Sequence, residues 1–350
     1  MQFIFLVYHY FNAAPVYNLI REFIAAYVWM TGFGNMMYFL HTNDYSIQRV
    51  ASMLFRLNFL VAVMCLSLAR PYMLYYICPM HTFWFLFTMA IVRLGCARNQ
   101  QAWFMWLKLA SGAVVIAVMY DWLPPKFFSS IWSPFQFLLG YSVPFHPELP
   151  PLHEWYFRTG LDRYAALVGM LFGYHFERIS SFIQWAKSST FACCAISALC
   201  VSVMFGWAWF CLPIPKFVYN QQWHPYTSWM CIVAYILFRN LVYPDKVSQL
   251  FKQMGKITLE SYLCQHHLWL CNNAKALIVI VPGFPMVNFF AASCLFMFAS
   301  YRLFNLTSEL KSVAIPKSTA ELKFNATVFL LGFCGSIILA AATLVFSENE

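Results

Sequence analysis

The chain has 350 residues, 61% of them hydrophobic and only 10% charged, with a net charge of +9 and a mean hydropathy of +0.61. An ordinary soluble domain carries about 25% charged residues, so the composition excludes a soluble enzyme and points to a membrane protein. The Lys and Arg sit mostly in loops and at span ends, where they speak for orientation and anionic headgroups rather than for nucleic acid.

The opening run, residues 1–11, is too short to cross a bilayer and lacks the basic region and cleavage site of a signal peptide. It reads as the tail of a first helix whose start is missing. Apolar spans then follow over roughly 16–40, 51–69, 72–92, 102–120, 161–176, 189–212, 225–243, 257–281, 283–301 and 325–346. Segment 127–145, Phe-rich with Pro134 and Pro144, is open between a span, a re-entrant piece and an interfacial helix. The expected fold is an all-α polytopic transmembrane bundle of about ten to eleven spans, a single membrane-embedded domain over residues 1–350.

Orientation follows from the basic loops. Arg178 and Lys187, then Lys246, Lys252 and Lys256, then Arg302, Lys311, Lys317 and Lys323 fall in three alternate loops. The loops between these hold only Lys216 and Lys275. The positive-inside rule places the first set in the cytosol. The sequons Asn305-Leu-Thr and Asn325-Ala-Thr border one of those loops and are expected to stay unglycosylated. The 12 cysteines are scattered, with no CxxC pair and no His/Cys spacing, so no metal site is expected and they read as small buried hydrophobes. No internal repeat is visible, which speaks against an inverted-repeat transporter.

Function lies in the polar residues stranded in apolar stretches, each costing roughly 2.5–3.5 kcal/mol to insert. Glu154, Arg158 and Asp162 are spaced four apart, a charge ladder on one helix face unless Gly160 breaks the helix. The plain alternative is a salt network that positions helices. The functional reading is that Arg158 or Arg163 holds an anionic or polar substrate. Glu260 and His267, seven apart, share a helix face about 10.5 Å apart and border one cavity with Gln265 and His266. His267 is the expected general base, and His266 the packed one. His9, Tyr17 and Arg21 gather near the front, where Arg21 could merely snorkel, and Arg56 lies deeper. His224-Pro225 marks a helix entry, with Arg239 near that helix's other end. No P-loop, HExxH, GxSxG or Gly-Asp-Ser block occurs, so a serine-esterase unit is not encoded here.

Motifs along nearly the whole chain match one family. Tyr8-His9-Tyr10-Phe11, Tyr17-Asn18-Leu-Ile-Arg21, Phe55-Arg56-Leu-Asn58, Tyr76-Ile-Cys-Pro-Met-His81-Thr, His153-Glu154-Trp155-Tyr156-Phe157-Arg158, Gly160-Leu-Asp162-Arg163-Tyr164, His224-Pro-Tyr226 and Glu260 through His267-Leu-Trp269 occur in order. The chain resembles the multi-span O-acetyltransferases, which include plant reduced-wall-acetylation proteins, animal sialate O-acetyltransferase and fungal capsule-acetylation proteins.

The resemblance implies a multi-pass Golgi protein that passes acetyl from cytosolic acetyl-CoA to luminal glycans, cell-wall or matrix polysaccharide before sialic acid. It also implies dependence on a separate luminal serine-type transferase, as in plant members. On this reading His267 or His9 relays the acetyl unit, and Glu260 tunes the histidine. Arg21, Arg56, Arg158 and Arg163 hold anionic parts of donor or acceptor. The rival is a transporter of acetyl-CoA or acetate that makes no covalent bond.

Overall fold

Small residues decide what lies at the centre. The computed structural model describes residues 1–143, 146–244, 246–271, 276–316 and 318–347. Helix α1 (Gln2–Tyr10) turns back through Asn12 into the long α2 (Tyr17–Thr42). Beyond Asn43 come α3 (Ile47–Leu68), α4 (Ile77–Arg93) and α5 (Ala102–Ala117). A Cβ on Gly32 of α2 would lie 2.0 Å from the Ala166 carbonyl oxygen, and one on Gly169 would lie 2.1 Å from that of Trp29. Only glycine permits so close an approach. The helix it packs against, residues 165–174, therefore runs beside α2 backbone to backbone, with Ala25, Ala165 and Ala166 fully buried in the seam.

Among the described residues of segment 127–145, no single helix is long enough to cross. The segment holds α6 (Pro125–Trp132) and α7 (Gln136–Leu139), joined by a 3-10 turn. Eight residues of helix reach only about 12 Å, against a hydrocarbon core of about 30 Å. Next come α8 (His153–Leu161), the seam helix α9 (Ala165–Tyr174), α10 (Phe176–Ser188), α11 (Thr190–Cys211), the single turn α12 (Lys216–Val218) and α13 (His224–Val242). Pro225 sits in the first turn of α13, as its missing N–H favours. The chain closes with α14 (Gln249–Lys256), α15 (Thr258–Cys264), α16 (Pro285–Ala314) and α17 (Thr319–Ser347).

One expected span breaks up. Over 257–281 the helix α15 stops at Cys264, widens into a π turn at Gln265–Trp269, and gives way to β1 (Leu270–Cys271) paired antiparallel with β2 (Ala276–Leu277). That short ladder is the exception to an otherwise helical bundle. Five helical stretches are long and apolar enough to cross a membrane among the described residues: Ala14–Thr42, Ile47–Leu68, Ala102–Trp122, Thr190–Cys211 and Pro285–Ala314, with Ile77–Arg93 shorter. Lys275 and Lys317 of the charge reading, and Pro144, lie outside the described residues.

The helix ends sort into two sides. The ends of α2, α4 and α9 meet around one cavity that touches Asn43, Arg93, Cys96, Gly173 and Glu177. Gln48 near the start of α3 bonds the Pro316 carbonyl past α16, and Arg56 reaches the Lys256 carbonyl at the end of α14. These ends carry the basic loops. On the far side, Asn18 at the start of α2 donates to the carbonyls of Cys211 (2.7 Å) and Ile214 (2.9 Å) at the end of α11.

The glycine seam is testable. Gly169→Leu is expected to lower the melting temperature in detergent by several degrees or prevent folding, since backbone blocks its Cβ. Gly206→Leu on α11, where a Cβ meets nothing within 4 Å, should melt like wild type.

Candidate functional site

Asp162 is fully buried where α8 ends, and its two oxygens tie three segments together. Oδ2 accepts from Arg21 Nη2 of α2 at 2.8 Å, and Oδ1 pairs with His224 Nε2 of α13 at 2.8 Å. The other ring nitrogen of His224 lies 3.1 Å from the Tyr219 hydroxyl, which donates to Glu22 Oε1 at 2.6 Å. Arg21 therefore does not snorkel; it is 2% exposed and locked in an ion pair. The expected ladder is cut at its last rung. Glu154 and Arg158 do pair, Nε to Oε1 at 2.7 Å, but the α8 helix ends before Asp162, whose carboxylate serves Arg21 and His224 instead. α8 ends at Leu161, one residue past Gly160, so the helix does stop before Asp162, and the next one starts at Ala165.

A second knot occupies Arg163. Its Nη2 donates to Asp121 Oδ1 (2.6 Å) and the Tyr226 hydroxyl (2.8 Å), and Nη1 donates to the Gly160 carbonyl (2.8 Å). Tyr164 donates to Asp121 Oδ2 at 2.7 Å. Both terminal nitrogens of Arg163 are thus engaged by the protein, while its Nε has no partner among the described residues. A third knot holds Arg56, which forks onto Glu260 with Nη2 to Oε2 at 3.0 Å, while Thr307 donates to Oε1 at 3.1 Å. Glu260 is fully buried, and its oxygens belong to Arg56 and Thr307. It makes no bond to His267, as the seven-residue separation requires, and the π turn at Gln265–Trp269 changes the register on which a shared helix face depended. Arg239 caps the end of α13 through the carbonyls of Pro244 (3.3 Å) and Lys246 (2.9 Å), remote from the other groups.

The fourth group has hydrogen-bonding capacity left over. His267 Nε2 meets the Tyr75 hydroxyl at 2.5 Å. The ring of His266 stands edge-on to Tyr75 at 5.7 Å and to Tyr262 at 5.5 Å, and both of its nitrogens are buried without a hydrogen bond. Gln265 Oε1 is equally unpartnered. His9, on α1, packs edge-on to Phe5 and Tyr8 and is an electrostatic neighbour of Arg158 and His266. The Arg158 guanidinium lies over the Tyr76 ring at 4.2 Å, and only its Nε is bonded among the described residues, to Glu154. Buried polar groups in native proteins are seldom left unpaired, so such a cluster marks a place where a ligand or water completes the bonding.

Beside this group lies a cavity of about 470 Å³ that reaches from Arg49 and Lys256 at the basic side to His81 and Tyr262. Tyr262 lines the cavity and also faces His266, so one side chain borders both spaces. The stranded polar residues accordingly do not fill one chamber. They form three ion-paired knots, in which Arg21 Nε, Glu22 Oε2 and Arg163 Nε still lack a partner among the described residues, and one histidine–arginine group next to a cavity. In that group both ring nitrogens of His266 are unbonded, and no carboxylate among the described residues is within reach of them.

Glu22, Asp121, Tyr219 and Thr307 escaped sequence reasoning. Glu22 follows Arg21 inside an apolar run, and Asp121 ends another in Tyr-Asp-Trp, so the cost of intramembrane charge was signal enough for both. Tyr219 and Thr307 carry no such mark.

Comparison with known proteins fits this geometry. The family model described as the "10 TM Acyl Transferase domain found in Cas1p" matches residues 1–327. The chain belongs to that acyltransferase family. A curated relative, the N-acetylneuraminate (7)9-O-acetyltransferase of Danio rerio, is 32% identical over 352 aligned positions, covering 95% of this chain and 44% of the relative. The chain thus spans under half the length of that relative. No solved structure matches.

Asp162→Asn should expose how much the fold leans on the first knot. Removing one partner of a buried ion pair typically costs about 3–5 kcal/mol, so the variant is expected to purify poorly or melt well below wild type. Arg239→Gln, at the rim of α13, should melt within a degree or two of wild type.

Proposed function

We propose that the chain is the membrane part of a Golgi O-acetyltransferase that takes acetyl from acetyl-CoA at its basic, cytosolic side and delivers it to a glycan hydroxyl in the lumen. The observation that carries this reading is the pairing of a cavity from the basic side with an unsatisfied histidine–arginine group across Tyr262. Acetyl-CoA is too polar to cross a bilayer, so its acetyl unit has to be handed on within the protein.

In this scheme His267, held by Tyr75, relays the acetyl unit or takes the proton of the acceptor hydroxyl. His9, an electrostatic neighbour of Arg158 and His266, is the second candidate for that work. Arg158, with two free nitrogens above Tyr76, holds an anionic or carbonyl oxygen of the reacting group. Arg21, Asp162, His224, Arg163 and Glu260 keep the helices in place around this group, and Arg56, held by Glu260, lines the neighbouring cavity. The sialate acetyltransferase relative makes a glycan acceptor the natural class, and cell-wall or matrix polysaccharide is our preferred acceptor. A separate luminal serine-type transferase is the natural recipient where the chain does not complete the transfer itself.

The test uses purified chain in sealed vesicles, acetyl-CoA labelled separately in acetyl and CoA, and a panel of glycan acceptors with and without a luminal serine-type transferase. Wild type should release CoA on the basic side and acetylate the acceptor. His267→Ala should lose at least about 100-fold in acetyl transfer while melting like wild type. Full activity in that variant removes His267 from the mechanism. Intact CoA or free acetate accumulating inside the vesicles supports the transporter instead.

A further inference from the structure

We propose that the 470 Å³ cavity is the entry port for a phosphorylated pantetheine thioester, with Arg49 and Lys256 receiving the phosphates, the slot receiving the pantetheine arm, and His81 positioning that arm at the inner end. The inference rests on the reading of acetyl-CoA as donor and assigns that donor a place.

Charge and shape set the occupant. Arg49, Met53, Arg56 and Leu57 all line the cavity, and their spacing of four, seven and eight residues puts them on one face of α3. No carboxylate lines it among the described residues; Glu260 is bonded to Arg56, and Asp44, the acid on the Arg49 side, takes the Tyr38 hydroxyl at 2.9 Å rather than the guanidinium. Arg49 stacks over Tyr38 at 3.9 Å and gives one bond to Asn35 at 3.3 Å, while its Nε has no partner among the described residues. Lys256 is exposed at the same mouth. Cations at the rim and an apolar slot behind them fit a ligand with an anionic head and a thin, mostly apolar tail. The volume falls in the range of small-molecule pockets, about 300–1,000 Å³, which suits the arm while the nucleotide stays at the mouth.

The arm also carries amides, and these need partners inside. Gln2 and Tyr27 line the slot but are bonded to each other and to Ser261, whereas Asn35 Nδ2 gives one proton to the Thr31 carbonyl at 2.8 Å and has a second to offer the arm. At the inner end, Thr31 Oγ1 donates its single proton back to the Tyr27 carbonyl at 3.1 Å. With that proton on the carbonyl, we assign His81 Nδ1 at 2.7 Å as the donor to Thr31, and in this tautomer Nε2 is the acceptor on a side chain that lines the slot. An amide N–H of the arm is the donor that nitrogen accepts.

The experiment titrates CoA and pantetheine against the full chain in nanodiscs. Arg49→Glu with Lys256→Glu should weaken CoA by about tenfold or more and leave pantetheine unchanged, because only CoA carries phosphates. Gly34→Phe should weaken both. Gly34 lines the slot and a Cβ there meets nothing within 4 Å, so the ring fills the port without disturbing the fold, which a wild-type melting temperature verifies. His81→Phe should raise KM for acetyl-CoA several-fold with kcat little changed, and His81→Gln, which keeps an acceptor, should recover part of it. Arg93→Glu, at the other cavity on the basic side, should change nothing.

Unchanged CoA affinity in Gly34→Phe overturns the port. So does a co-purifying phospholipid that Gly34→Phe expels while CoA binding stays intact. If His267→Ala still abolishes transfer in that case, the acetyltransferase reading stands and only the port is lost. A wild-type chain that neither binds CoA nor transfers acetyl ends both.

Discussion

The buried carboxylate of Asp162 is the constraint from which the rest of the arrangement follows. Placed at the end of α8 with no exposure, it has to be compensated within the protein, and the groups that do so, the Arg21 guanidinium and the His224 ring, come from α2 and α13. Those contacts hold together helices that share no sequence neighbourhood. The glycine seam between α2 and α9 supplies the closeness that lets Arg21 reach Asp162, since a methyl group at Gly32 or Gly169 would push the helices apart. Electrostatics and steric contact therefore specify the same pairing, as consistent sequences do.

The arginines divide by what their nitrogens are doing. Arg21, Arg56, Arg163 and Arg239 are engaged by carboxylates, carbonyls or a tyrosine hydroxyl and act as struts. Arg158 gives Nε to Glu154 and keeps its fork open above an aromatic ring. A strut is paired by the fold, whereas a ligand-binding arginine waits for something outside it. The same distinction separates His224, enclosed between Asp162 and Tyr219, from His266, whose nitrogens meet nothing.

Much of this was legible in the sequence, and the reason is physical. Charge inside an apolar run is expensive, so Arg21, Arg56, Asp162, Glu260 and His267 stand out without any knowledge of the fold. Composition gave the membrane class, and Pro225 gave the start of α13. What one sequence does not reveal is which charges answer each other across space. Seven-residue spacing suggested that Glu260 serves His267, and four-residue spacing that Asp162 serves Arg158. The first inference assumed an unbroken α-helix, and the second depended on whether Gly160 breaks it. The helix ends or widens between the members of both pairs; Gly160, one residue before α8 ends, is the local sign of the second break, and nothing local in Leu-Cys-Gln-His-His announces the first. The extended pair after Trp269 was hidden for the same reason, inside a run apolar enough to pass for one long helix.

Wide turns recur where polar groups gather. Val118–Trp122 carries Asp121, Tyr219–Trp223 ends against His224, and Gln265–Trp269 holds both chamber histidines. A π turn accommodates one residue more than the α-helix around it, and each residue of a helix advances the side chains by about 100°. Deleting a single amino acid from any of these three turns could restore regular α geometry, yet it would swing the neighbouring polar group about a quarter of the way round the helix axis. Surface loops of this protein should tolerate changes in length, whereas these three short stretches should keep their number of residues fixed for as long as the chemistry is under selection.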